Sequence, residues 1–128
     1  MAPRRLEHVL VLTDDLEASK DFYCEALGLE VGERPPLEFP GFWLYLDGVP
    51  CLHLAERAAY EGHAAALGLR VGPAVDHVAL GGTDYDEAAA RLRAAGVDAV
   101  ENSVPGTGLR QLFVTDPNGV RIELNSPG

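Results

Sequence analysis

Four side chains carry the pattern from which chemistry could be built. They are His8 in Glu7-His8-Val9-Leu10-Val11, His53 in Cys51-Leu52-His53-Leu54, His77 in Asp76-His77-Val78-Ala79-Leu80, and Glu123 in Arg121-Ile122-Glu123-Leu124. Each is a polar residue inside a strand-like apolar run. Imidazole nitrogen and carboxylate oxygen are ligands for borderline divalent metals, and two histidines with one carboxylate suit non-haem Fe(II). Zinc accepts the same donors, with three protein ligands and an exchangeable water as its usual catalytic set. The spacing is regular: His8 and His77 are 69 residues apart, and His53 and Glu123 are 70 apart. Strands alternate their side chains between two faces, so one residue per strand can point into a concavity without disturbing the other face. A lone His in an apolar strand is more often a hydrogen-bonded core residue than a ligand. Here three of the four histidines fall on repeat-related positions, which favours metal.

The elements that must position them form a duplicated unit. Asp14 or Asp15 can cap a helix from Leu16 to Ala26 that Gly28 ends, and Thr83 or Asp84 can cap one through Ala95 that Gly96 ends. Three strand-like runs follow each helix: about 29–33, 37–46 and 49–55 in the first half, about 99–102, 109–115 and 120–125 in the second. Asp47-Gly48 and Asp116-Pro117-Asn118-Gly119 are turn signals between the last two strands of each half. Two βαβββ units result, module 1 over about 6–55 and module 2 over about 75–126, joined by a glycine-containing linker at about 56–73 within a single domain of residues 1–128. If the units pair by a pseudo-twofold, His8, His53, His77 and Glu123 all point into one cleft.

Composition bounds the partners. A net charge of −10, with ten scattered basic residues, argues against nucleic acid. No stretch approaches the roughly 18 to 20 apolar residues of a membrane span, and no apolar run follows the N-terminal arginines as a secretory signal requires. Two cysteines make no disulfide framework. The expectation is a cytoplasmic protein with a small-molecule substrate and neither nucleic-acid nor membrane partners.

With these residues in place the chain resembles the vicinal oxygen chelate superfamily, which includes glyoxalase I, extradiol dioxygenases, methylmalonyl-CoA epimerase, fosfomycin-resistance enzymes and bleomycin-binding proteins. The resemblance runs from Leu6 to about Asn125. It is carried by His8 in its strand, Asp15-Leu16-Glu17-Ala18-Ser19 leading to Phe22-Tyr23 and Leu27-Gly28, His77 in Asp-His-Val-Ala-Leu, and Phe113-Val114-Thr115-Asp116-Pro117-Asn118-Gly119 leading to Ile122-Glu123-Leu124. It implies an α+β fold of two βαβββ modules around a metal-binding cleft, with ligands at His8, His77 and Glu123. Relatives with glyoxalase or epimerase chemistry usually carry Glu or Gln where this chain has His53, a departure that leaves three histidines and a glutamate to hold Fe, Ni, Zn or Mn. The resemblance further implies a metal that chelates neighbouring oxygens of the substrate, with Glu123 as the proton-handling catalytic residue. A homodimer is expected, and some dimers of the superfamily complete each site with strands from both chains.

Weaker candidates surround this set. Phe42 and Leu44, and Gln111 and Phe113, lie on the third strand of each unit and are expected to line the cleft, with Trp43 and Tyr45 on the opposite side under a helix. Arg110 follows the turn Pro105-Gly106-Thr107-Gly108 and could meet an anionic substrate. Two functions compete: a metal-dependent lyase, isomerase or ring-cleaving dioxygenase, and a resistance protein that sequesters a drug or metabolite without turnover.

Overall fold

The computed structural model describes residues 5–73 and 75–127. Its elements run β1 (Val9–Thr13), α1 (Leu16–Asp21) continuing into a π-helical turn (Phe22–Ala26), β2 (Glu30–Gly32), β3 (Gly41–Leu46), β4 (Val49–Glu56), α2 (Arg57–Ala66), β5 (His77–Leu80), α3 (Tyr85–Ala94), β6 (Val100–Ser103), β7 (Arg110–Thr115) and β8 (Arg121–Ser126). The strands make two four-stranded sheets of identical topology, β1-β4-β3-β2 and β5-β8-β7-β6. In each, the first strand runs parallel to the last and the other pairs are antiparallel.

The same local devices shape both halves. Asp15 and Asp84 are the caps, each accepting a backbone N–H three residues on at 3.0 Å, from Ala18 and Glu87. Such a cap contributes about 1 kcal/mol. Gly28, at φ +84, turns the chain out of the first helix, where a non-glycine residue would be strained. Asp47 and Gly48 both have positive φ, the conformation of a tight two-residue hairpin.

The third strand is shorter than the expected run from Leu37. Pro40 interrupts it, and pairing begins only at Gly41. Proline lacks the N–H that a ladder needs.

Both sheets turn one face to a common core. Leu44, Leu52 and Leu54 from the first meet Leu112, Ile122 and Leu124 from the second, with Tyr23 and Leu92 of the helices between them. Each such side chain, fully buried, contributes roughly 1.5–3 kcal/mol by leaving water.

A buried polar clamp crosses the same junction. The Tyr23 hydroxyl donates to Asp116 Oδ2 at 2.7 Å, and Asn118 Nδ2 donates to Ser19 Oγ at 2.8 Å. Ser19 in turn donates to Thr13 Oγ1 at 2.8 Å. The second Asp116 oxygen accepts the backbone N–H groups of Asn118 and Val120, both at 2.8 Å, which shapes the turn before β8. Burial, then the Asp116 charge, push the Tyr23 phenol far above its ordinary value, so it remains a neutral donor.

Candidate functional site

The register of the two sheets places the four candidate ligands in equivalent pairs. Leu10 is opposite His53, and Ala79 is opposite Glu123. His8 and His77 each lie two residues before those partners, and so on the same face. In both sheets that face is the one turned away from the common core. The four side chains form two pairs, His8 against His53 and His77 facing Glu123. Among the described residues, no three His, Cys, Asp or Glu side chains are placed to hold one ion. The physical reason is the core: each sheet turns its apolar face to the helices and the cluster they share, leaving the candidate-ligand residues on the opposite face.

On the first sheet the ligand face is aromatic. The His8 and His53 rings stack at 4.0 Å with 12° between planes, and Trp43 stacks on His53 at 4.2 Å and 8°. His53 Nε2 lies 3.0 Å from the Pro50 carbonyl. A carbonyl can only accept, so this nitrogen carries the proton. Burial, and secondarily the nearby His8, lower the basicity of His53 below the usual histidine value.

On the second sheet the ligand face is a hydrogen-bonded polar row. Asn102 Nδ2 donates to Gln111 Oε1 at 2.8 Å, Gln111 Nε2 to Asn125 Oδ1 at 3.1 Å, and Asn125 Nδ2 to Glu123 Oε2 at 2.8 Å. Glu123 Oε1 faces His77 Nε2 at 3.8 Å. The other His77 nitrogen, Nδ1, is 2.8 Å from Asp76 Oδ2, which also accepts from Arg121 Nη1 at 3.0 Å.

These geometries test which residues suit a metal. His77 Nε2 and Glu123 Oε1 both have lone pairs without a hydrogen-bond donor. Two ligand atoms at about 2.0–2.2 Å from a shared ion stand about 3.0–3.4 Å apart, so the 3.8 Å gap needs only a small side-chain shift. This pair fits. A ring nitrogen's lone pair lies in the ring plane, so His8 and His53, stacked face to face, cannot both aim at one ion. His53, with one nitrogen on Pro50 and its ring between two others, is the more constrained of the two.

The weaker candidates divide. Gln111 and Phe113 pair with Asn125 and Glu123 and share their face, as expected. Phe42 and Leu44 do not share the face of His53. Leu44 is fully buried against Leu52, Phe42 packs on the core, and it is Trp43 that pairs with His53. The cause is a β-bulge at the hairpin. Leu46 pairs with Val49, but Leu44 pairs with Leu52, so Pro50 and Cys51 together face Tyr45. The extra residue shifts the register by one and exchanges the faces of β3. Pro50, with no N–H, suits that position. Arg110 is likewise on the opposite face from Glu123. It alternates with Gln111, and its guanidinium covers the Tyr85 ring at 3.4 Å on the helix side. The turn at 105–108 satisfies itself, Thr107 Oγ1 donating to the Val104 carbonyl and accepting from the Leu109 N–H. His63 lies in α2 beside Phe39 and Tyr60, away from both ligand faces.

Trp43, Asp76, Asn102 and Asn125 were not picked out from sequence. Asp76 and Asn125 had a legible signal, adjacency to His77 and same-face spacing from Glu123. Trp43 had none, because the bulge hides its parity.

Comparison with known proteins agrees with this architecture. The chain is 31% identical over 122 residues to a protein of Arabidopsis thaliana named glyoxylase I 4, covering 93% of this chain and 68% of that one. Its fold superposes on lactoylglutathione lyase from Agrobacterium tumefaciens with a TM-score of 0.75 at 22% identity, over 98% and 95% of the two chains. It also superposes on TnmS3, an antibiotic binding protein from Streptomyces, with a TM-score of 0.71 at 25% identity, over 100% and 99%. The family model for the glyoxalase/bleomycin resistance protein/dioxygenase superfamily matches residues 5–124, and the chain, with its paired βαβββ modules, belongs to that superfamily.

Proposed function

We propose that the chain is a divalent-metal-dependent enzyme acting on a small oxygen-chelating molecule, its centre built from His8, His77 and Glu123. The observation that carries this reading is the pair His77 Nε2 and Glu123 Oε1, two free donor atoms facing each other at 3.8 Å. His8 belongs to the other outward face, so a centre is completed when the first sheet of one copy covers the second sheet of another. This is the role of the proposed homodimer. In this reading His53 does not ligate; it holds His8 by stacking and forms, with Trp43, one wall of the cleft.

When bound, Fe, Ni, Zn or Mn would supply Lewis-acid polarisation of adjacent substrate oxygens. The chain's own residues do the rest. Glu123, with Oε2 held by Asn125, would serve as base to a carbon beside those oxygens when its Oε1 is not ligating. Gln111 and Phe113 border the same face. Similarity to a protein named glyoxylase I 4 favours lyase or isomerase chemistry over ring-cleaving dioxygenation.

The test is metal content by elemental mass spectrometry, on untagged protein purified without chelators. About one equivalent per chain is expected, lost in His77→Ala. Mixing His8→Ala with His77→Ala chains should restore part of it, because one of the two centres in a mixed dimer is then intact. Retention of a full equivalent by His77→Ala would refute the reading.

The alternative is a binding protein that sequesters an aromatic drug or metabolite without turnover. The Trp43–His53–His8 stack and the likeness to an antibiotic binding protein favour it. It predicts ligand binding that needs no metal and is lost in Trp43→Ala.

A further inference from the structure

The exposed carboxylate of Asp76 stands outside the ligand set, yet it bonds to the one ring nitrogen that would otherwise compete with Nε2 for a role. Its Oδ2 lies 2.8 Å from His77 Nδ1 and 3.0 Å from Arg121 Nη1. A carboxylate cannot donate, so His77 carries its proton on Nδ1 and keeps the Nε2 lone pair free. That lone pair faces Glu123 Oε1. The opposite end of the row does the same for the glutamate. Three carboxamides, Asn102, Gln111 and Asn125, pass donors in one direction until Asn125 occupies Glu123 Oε2. Each partner leaves one atom of its neighbour unengaged, and the two unengaged atoms are the ones that face each other.

We infer that Asp76, held by Arg121, is a positioning residue that fixes the tautomer of His77 before any metal or substrate arrives, so that Nε2 is presented towards Glu123 Oε1. The inference rests on the metal-centre reading for its purpose, though not for its test. The three groups are 43–70% exposed, so the pairing adds little to folding. A tautomer choice needs only a small bias, and outer-sphere carboxylates that receive the second N–H of a ligand histidine are a recurring way to supply it. The first module has a looser counterpart, Glu7 at 3.7 Å from His8 Nδ1.

The experiment uses the full chain with Asp76→Ala and Asp76→Asn alongside the wild type. Long-range proton–nitrogen spectra of the metal-free proteins, at mildly alkaline pH, read the His77 tautomer directly. Calorimetry with zinc ion alone reads affinity. The wild type should show the Nδ1–H form. Asp76→Ala should move His77 towards the Nε2–H form that free imidazole side chains prefer in water, and lower zinc affinity by about 10–100-fold. Asp76→Asn keeps an amide oxygen to accept, and should retain the tautomer and most of the affinity. An unchanged tautomer in Asp76→Ala overturns the inference, as does a zinc affinity that stays constant while the tautomer moves. Failure of every form to bind zinc would sink the metal reading instead, and the tautomer spectra would still decide the role of Asp76.

Discussion

Replacing Tyr23 by Phe removes one oxygen from the junction between the modules and leaves the ring in place. The side chain is completely buried, and its hydroxyl is 2.7 Å from Asp116 Oδ2. No cavity of consequence forms, so the loss is that of one hydrogen bond to a charged acceptor, about 1.5–3 kcal/mol. Asp116 keeps part of its solvation: Oδ1 still accepts two backbone N–H groups, and Oδ2 retains Asn118 Nδ2 at 3.3 Å. A cost near the middle of the range, about 2 kcal/mol, follows. For a domain of this size that corresponds to a fall in melting temperature of roughly 6–10 °C.

The alkaline side sharpens the test. The folded state raises the Tyr23 phenol above its ordinary value of 10.0. A group whose folded pKa is raised contributes fully below its unfolded pKa and loses that contribution as pH climbs beyond it. Above about pH 10 the wild type should therefore lose up to about 1.4 kcal/mol of stability per pH unit through this residue, a loss Tyr23→Phe cannot share. Urea unfolding from neutral pH to about pH 11 should show the gap between the two proteins narrowing. Stabilities within about 0.5 kcal/mol of each other at neutral pH, or a gap that widens with alkali, would refute this account of the clamp.

Other expectations are narrower. His53→Gln should keep the bound metal while His8→Ala loses it, as elemental analysis of the two variants would reveal; the reverse pattern would make His53 the ligand and His8 its support. Gly28→Ala should lower stability by about 1–2 kcal/mol, measured by thermal melting. Its φ is +84, and a new Cβ would lie 3.2 Å from the Arg91 guanidinium carbon.

Much of this molecule was legible in its sequence, because the signals for its elements are local. Caps at Asp15 and Asp84, a helix stop at Gly28 and the Asp47-Gly48 turn are each dictated by a residue or two. The placing of His8 on one sheet face with His53, and of His77 with Glu123, followed from a repeat that preserves register: Leu10 is opposite His53 and Ala79 opposite Glu123. Less legible were the places where a single residue alters a long-range relation. Counting back from a two-residue turn puts Phe42 opposite His53, and only the extra residue at Pro50 and Cys51 puts Trp43 there. The direction in which each ligand face points depends on how two finished sheets pack, which no local pattern records. Arg110 was placed by its neighbouring turn, whereas strand alternation turns it towards Tyr85.

The clamp joining Tyr23 to Asp116, across 93 residues of sequence, has a geometric consequence. It ties the two modules together inside one chain, from the core side of both sheets. In a twofold assembly each chain presents both faces, so bringing one complementary pair together brings the second pair together as well. Whether both close squarely depends on the internal angle each chain carries. A tyrosine hidden in the core thus bears on how two outward faces, neither of which it touches, are held relative to each other.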